Sequence, residues 1–473
     1  MPGQTSEDLL ALFDRAPLNR RYWVAFAILA AITVLEFFDF SVVAFLLAVV
    51  GPQWHLTYGQ SALILYSGGV GAIVGALVFG GLSDAWGRKT QMIIGTFICG
   101  AGAALIGFVP DGAWHLFALL RFVVGVGLTA AAVPALTMIV ELTPTRHRTA
   151  VTSFFVVFAT AGGLVASSTS AALLALIGWR GMAMLGISVA LVGVLAALFV
   201  PESVRWLTAK GRFAEAREGV ATHLGVALRT VPLPTVMPAT VPRGQLSELL
   251  TQPRQFYETL LIWGGAATAA YGVYLWGPTV VALLLKVPPQ QAAKYFIFVT
   301  GFGVIGKIVV SLLVPLLGRR LLGTIWGLGG VAALAAVGFS GGTVVGGVPL
   351  IVVLLCASTF CIDGSFSNLA PYTVESFGVR LGARASGLGQ TANGIGKILG
   401  PLSLALIAGT ANFVSPKATE GALLPAFLFL AFGMLLVGLS FAILGRETHG
   451  RPMALGEAGQ GVRRPVMLGT ETR

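Results

Sequence analysis

Residues 80–89 read Gly80-Gly81-Leu82-Ser83-Asp84-Ala85-Trp86-Gly87-Arg88-Lys89, a short charged interruption between two long apolar stretches. The stretch before it, 60–81, and the stretch after it, 91–110, contain no Asp, Glu, Lys or Arg. Each is about 20 residues long, enough for a helix to cross the hydrocarbon of a bilayer. The gap is too short to hold a domain, so the chain has to turn there and go back. The same alternation runs outward in both directions. Apolar stretches recur at 22–50, 60–81, 91–110, 114–141, 149–176 and 180–200, and again at 256–285, 291–317, 321–340, 347–374, 385–411 and 421–445. The pattern predicts an all-α polytopic membrane protein with twelve transmembrane helices. A membrane barrel would show alternating segments of about ten residues instead. Backbone groups in lipid must be satisfied within the segment, which favours helices here. Composition agrees: of 473 residues 56% are hydrophobic and 10% charged, and the mean hydropathy is +0.87.

The formal net charge of +11 has a positional explanation. With both ends of the chain on one side, 23 of the 30 Lys and Arg fall in segments on that side. This is the positive-inside pattern, with both termini cytoplasmic. The excess therefore reads as orientation and not as a nucleic-acid footprint. Cys99, Cys356 and Cys361 all lie in apolar stretches without metal-ligand spacing. No cofactor or metal is expected. The first twenty residues lack the apolar core of a cleaved leader.

A polar stretch divides the chain. The expected organisation is a cytoplasmic N-terminal segment 1–21, a six-helix bundle 22–200, a linker 201–255 with a short amphipathic helix, a second six-helix bundle 256–445 and a disordered tail 446–473. A weak repeat supports two pseudo-symmetric bundles. Gly87-Arg88-Lys89 recurs as Gly318-Arg319-Arg320, 231 positions on, and Glu141 with Arg146 recurs as Glu375 with Arg380, 234 positions on.

These motifs resemble those of the major facilitator superfamily. Residues 80–89 match its loop 2–3 motif. Arg121-Phe-Val-Val-Gly125-Val-Gly127 is similar to its fourth-helix motif, and Pro201-Glu202-Ser203-Val-Arg205-Trp206-Leu207 to the motif after helix six of sugar porters and organic-ion carriers. Tyr372-Thr373-Val-Glu375, Arg384-Ala-Ser-Gly387 and Asn393-Gly-Ile-Gly396-Lys397 resemble the tenth- and eleventh-helix region of that group. Glu36-Phe-Phe-Asp39-Phe40 and the stretch 271–278 are most similar to bacterial aromatic-acid and metabolite proton symporters and niacin-type carriers. The resemblance implies alternating access by two bundles, residence as a monomer in a bacterial inner membrane, and transport in place of enzymatic catalysis. The second copy of the loop motif departs from the first, with Pro315 where Asp84 stands.

Charges inside the spans are the candidate functional residues, because a charge in hydrocarbon needs a cavity or a partner. Asp39 and Glu36 are one helical turn apart in the first span. Asp39 reads as the proton carrier, Glu36 as a second candidate, and Arg121 as the cation that sets when a carboxylate protonates. The last role is also the one implied by the resemblance. In the second half, Lys307, Asp363 and Lys397 lie mid-span. Two cations and one anion would leave a positive charge for an anionic substrate. Tyr271 and Tyr274, with Asn393 one turn before Lys397, complete the expected binding set. Tyr66, Trp276, Asn368, Tyr372 and Gln390 are further candidates for the cavity wall. Asp84, Arg88, Glu141 and Arg148 read as gating residues whose contacts hold the cytoplasmic side closed. Glycines 68, 69, 71, 75, 125, 127, 162 and 163 offer small surfaces for close helix contact.

The expected activity is proton-coupled secondary transport of a small organic acid, a monocarboxylate or aromatic acid. A sugar, an organic cation or proton-independent exchange are the alternatives. A channel would need a continuous polar pore, a sensor a soluble output region, and an enzyme a converging nucleophile or metal cluster. The five histidines lie in loops and near span ends, and form no such cluster.

Overall fold

The computed structural model describes residues 6–80, 82–233 and 246–448. The expected tail beyond residue 448 and the Pro-rich part of the linker lie outside the described residues. The first half of the chain supplies α1 (Ser6–Asp14), α2 (Arg20–Gln53), α3 (Tyr58–Phe79), α4 (Leu82–Trp86), α5 (Arg88–Ile106), α6 (Trp114–Leu142), α7 (Thr145–Met184), α8 (Ile187–Phe199), α9 (Val204–Ala209) and α10 (Phe213–Leu224). The second half supplies α11 (Pro253–Leu284), α12 (Pro289–Leu317), α13 (Arg319–Ser340), the two-residue strands β1 (Val344–Val345) and β2 (Val348–Pro349), α14 (Leu350–Ala408) and α15 (Pro416–Leu439). Among the described residues the regular structure is helical apart from that small antiparallel hairpin and one isolated antiparallel bridge, Thr57 with Phe413.

Among the described residues, eleven helical segments are long and apolar enough to cross a membrane. The expected twelfth, 180–200, is interrupted. The chain turns at Gly178 with φ 66° and ψ 179°, a conformation that glycine adopts without a Cβ clash. The helix then stops at Met184 and restarts at Ile187, leaving a 13-residue apolar helix, Ile187–Phe199. Gly378, at φ 76°, makes the equivalent turn inside α14, separating spans Leu350–Gly378 and Arg384–Ala408.

Local sequence sets the helix starts. Asn19 accepts from Tyr22 N at the head of α2. Thr57 and Gln60 form a capping box at the head of α3. Each such cap satisfies amide groups that have no intrahelical partner. Leu77, Leu176 and Leu316 stay more than three-quarters exposed, as expected for side chains facing lipid.

Helices of the two halves meet chiefly along three lines, α2 against α11, α3 against the second span of α14, and α7 against α12, with a smaller contact of α2 on α12. Within the first half, α3 and α6 approach so closely that a Cβ on Gly125 would lie 2.0 Å from the Gly68 carbonyl oxygen. That approach brings the α6 charge at Arg121 under the protein interior. The expected polar N-terminal segment contains structure that hydropathy alone misses. Leu9 and Phe13 of α1 are fully buried against Trp206, Leu207 and Val220.

The sequence repeat appears as repeated geometry. Arg88 Nε lies 3.5 Å from Glu141. At the matching positions Arg319 holds Glu375 with two bonds of 2.7 and 2.8 Å. Glu202 accepts from the backbone N–H of Lys89, and Glu447 accepts from those of Arg319 and Arg320. We call the end of the molecule carrying these motifs the basic face.

Candidate functional site

The first-span carboxylates have different partners. Asp39 Oδ2 receives a 2.8 Å bond from Arg121 Nη1, which also reaches the Asp39 carbonyl oxygen at 3.3 Å. Both side chains are sealed, at 2–3% exposure. Arg121 Nε and Nη2 meet no hydrogen-bond acceptor among the described residues. Ion pairs this deep are held by mutual compensation, since each charge alone would be very costly. Glu36, one turn earlier, instead faces a narrow pocket between the two halves.

That pocket is lined by Glu36, Phe40, Thr129, Tyr271 and Lys397, with small Gly68 and Ala72 on α3. Its volume is about 30 Å³, room for roughly one or two waters. Lys397 enters from α14. Its Nζ sits 5.6 Å from the Phe40 ring centroid and 5.5 Å from that of Tyr271. The two rings pack edge to face, 5.1 Å apart. Among the described residues no carboxylate oxygen comes within 4.0 Å of the Lys397 ammonium. It is stabilised by two aromatic faces, with Glu36 as the nearby acid on the pocket wall. A cation held this way can pair with an anion once the pocket widens.

Lys307 is arranged differently. Its Nζ lies 3.6 Å from Asp363 Oδ1 and donates to Thr160 Oγ1 on α7. Tyr274 donates to the other Asp363 oxygen. Asp363 therefore already serves as the counter-ion of Lys307, and Tyr274 belongs to that cluster and not to the pocket with Tyr271. Asn393 donates to Gln390 and is not on the pocket wall. Two of the proposed wall residues belong near the basic face. Asn368 donates to the Arg319 carbonyl oxygen, and Tyr372 donates to Glu258 and accepts from Arg446 N. Trp276 donates to the Pro401 carbonyl oxygen. Phe40 and Thr129 carry no charge, so a count of charges within the spans passes over them. Their spacing was the available signal: Phe40 is four residues after Glu36, and Thr129 eight after Arg121.

The expected gating residues tie parts of the first half to each other. Arg88 meets Glu141 and the Ser83 carbonyl. Arg148 lies 3.6 Å from Asp14, which also receives a 2.6 Å bond from Arg205 and the backbone N–H of Thr145. Burial pushes the Asp14 carboxyl up, but the Thr145 bond and the Arg205 charge outweigh it and hold the group below its usual range. Burial pushes the Glu202 carboxyl up against the pull of the Ser203 and Lys89 amides. The Asp84 side chain lies outside the described residues. The hydrogen bonds crossing between the halves include those of Lys307 and those at the face opposite the basic one.

Comparison with known proteins matches this arrangement to a family. The chain is 26% identical over 454 residues to the niacin transporter NiaP of Acinetobacter baylyi, covering 94% of this chain and 99% of that one. It is 28% identical to the 4-hydroxybenzoate transporter PcaK of Pseudomonas aeruginosa, covering 93% and 97%. Among solved structures, a D-xylose-proton symporter superposes with a TM-score of 0.70 at 19% identity, over 91% of this chain and 99% of that one. The family profile described as Major Facilitator Superfamily matches residues 29–401. With that match across most of its spans, the chain belongs to the major facilitator superfamily and is a secondary transporter.

Proposed function

We propose that the protein carries a small organic acid, aromatic or monocarboxylic, across a bacterial inner membrane together with protons. The observation that carries this reading is Lys397. It is a cation in a pocket between the halves, flanked by two aromatic rings and lacking a paired carboxylate. A substrate carboxylate would take the ammonium, and its ring or chain would lie against Phe40 and Tyr271. Lys307, already matched by Asp363, would instead hold α12 to α7.

Asp39 would carry the proton. Protonation removes the charge that Arg121 compensates and so frees the guanidinium to find another acceptor. Glu36, on the pocket wall, would oppose a second negative charge until protonated. The pocket is too small for a ring-bearing acid, so loading requires the halves to part. Two six-helix bundles rocking about this pocket, with 179–199 counted as one broken span, fit alternating access. The Lys and Arg distribution supports a cytoplasmic basic face with both termini inside. The names of the relatives NiaP and PcaK support an aromatic acid; the fold shared with a xylose symporter keeps sugars in the test panel.

The test is binding to purified protein in detergent, titrated with nicotinate, 4-hydroxybenzoate, xylose and choline. Binding of one of the acids, weakened at least tenfold by Lys397→Gln but not by Lys307→Gln in folded protein, is the expected result. Acid binding untouched by Lys397→Gln, or binding of xylose or choline alone, would overturn the reading.

A further inference from the structure

The face opposite the basic one holds a feature that none of the transport motifs includes. Residues 56–59, which run from the α2–α3 connection into the first residues of α3, lie beside residues 410–414, between α14 and α15. Tyr58 N donates to the Asn412 carbonyl at 2.9 Å, Gly59 N to that of Thr410 at 3.0 Å, and Val414 N to that of Leu56 at 3.0 Å. Thr57 and Phe413 pair as an antiparallel bridge. One strand comes from each half of the chain. A Cβ on Gly59 would lie 3.0 Å from the Thr410 carbonyl oxygen and 3.2 Å from the Thr410 Cβ, so the approach is close.

Each strand is fastened directly to a spanning helix. Thr57 is also the cap of α3, and Ser415, just after the other strand, caps α15. Tyr58 inserts across the junction. It is fully buried, its hydroxyl lies 2.6 Å from Thr419 Oγ1, and its ring sits 5.6 Å from that of Trp276. Trp276 in turn donates to the Pro401 carbonyl oxygen at 2.8 Å. Trp276 is five residues past Tyr271 on α11, and Pro401 is four past Lys397 on α14. The helices that present Tyr271 and Lys397 to the pocket are therefore the ones joined by the Trp276–Pro401 bond beneath Tyr58.

We propose that this ribbon is the outer gate of the transporter, a backbone clasp with Tyr58 as its bolt, which must open as a unit whenever the pocket faces outward. The assignment of this face as outer rests on the transport reading above. Backbone amides and two hydroxyls carry no charge between pH 5 and 8, so the clasp itself does not sense the proton gradient. A shift of α11 or α14 on loading the pocket reaches it through Trp276 and Pro401.

The test joins the strands covalently. In an antiparallel ribbon the facing Cα atoms of such a pair are about 4.5 Å apart, within disulfide range. Thr57→Cys with Phe413→Cys, oxidised in proteoliposomes, is expected to cross-link. Nicotinate or 4-hydroxybenzoate uptake should fall at least tenfold and recover on reduction, with either single variant unaffected. A cross-linked protein that still transports at the uncross-linked rate, or a pair that does not cross-link, overturns the proposal. A second measurement needs no substrate and so separates failure of the clasp from failure of the organic-acid reading. Ala62→Cys, fully buried one turn below Tyr58, should resist an impermeant maleimide added outside. Adding Gly59→Val, which forces the strands apart, should speed its labelling at least tenfold. Equal labelling rates overturn the proposal.

Discussion

Replacing Asp39 by Asn tests the buried pair at the centre of the first half. The change keeps size and one acceptor oxygen while removing the charge. In the native protein the Arg121–Asp39 contact is 2.8 Å, with both side chains at 2–3% exposure. Removing one member of so deep a pair typically costs about 3–5 kcal/mol, because the remaining charge is buried without compensation. The Asn carbonyl and the residue-39 backbone oxygen can still accept from Nη1, which puts the expected loss near the lower figure, about 3 kcal/mol. Arg121→Gln should cost a similar amount. The double variant has no unpaired charge and should recover most of it, to within about 1 kcal/mol of the native protein, giving a coupling of about 5 kcal/mol between the two sites. The assay is the fraction of monodisperse protein surviving a heating series in detergent for the four members of the cycle, followed by transport in vesicles. Stability should return in the double variant; proton coupling should not. A single Asp39→Asn variant as stable as the native protein, or a double variant whose loss equals the sum of the singles, would refute the compensation argument. A double variant that still couples substrate to protons would remove Asp39 from the proton path.

Two further outcomes follow from the basic face. Asp14 is held below its ordinary value of 3.8 in the folded protein, so its pairing with Arg205 and Arg148 stabilises above that pH and is lost as pH falls toward the lowered folded value. For a partly exposed site the effect is about 1 kcal/mol; the protection factor of residues 6–14, with the intrinsic exchange rate at each pH divided out, should therefore fall about fivefold on acidifying from pH 5 to 3, and should be low at both pH values in Asp14→Asn. Arg319→Lys keeps the charge but loses the two-bond grip on Glu375, and should lower thermal stability measurably; a variant as stable as the native protein would count against the geometric argument.

Sequence patterning carried most of the architecture, because hydrocarbon imposes length and polarity on every span. It failed where one or two residues decide the outcome. Nothing in the hydropathy of 180–200 marks the break at 185–186, which arises where Gly186 packs against Ala103 and Asp39. Counting charges found Asp39 and Arg121 and could not show that they touch, since their contact depends on α2 and α6 meeting across 82 residues of chain. For the same reason the sequence treated Lys307 and Lys397 alike. Their difference lies in Asp363, which folding delivers to one and not to the other. The expected gating arginines stand at helix starts, Arg88 as the first residue of α5 and Arg148 in the first turn of α7, and the Glu141 and Asp14 carboxylates they meet belong to the same half. Asp14 was invisible as a partner, because α1 has too few apolar residues to stand out until Leu9 and Phe13 are seen buried. The strand pairing at the opposite face is backbone chemistry, for which side-chain identity gives almost no signal.

The most direct test of the transport account is proton movement in vesicles containing the purified protein, on adding nicotinate or 4-hydroxybenzoate, in native and Lys397→Gln forms. External alkalinisation with an acid substrate in the native protein, abolished in Lys397→Gln while the folded state is retained, is the expected result. An undiminished proton signal in Lys397→Gln, or flux of labelled acid with no proton signal in the native protein, would contradict it.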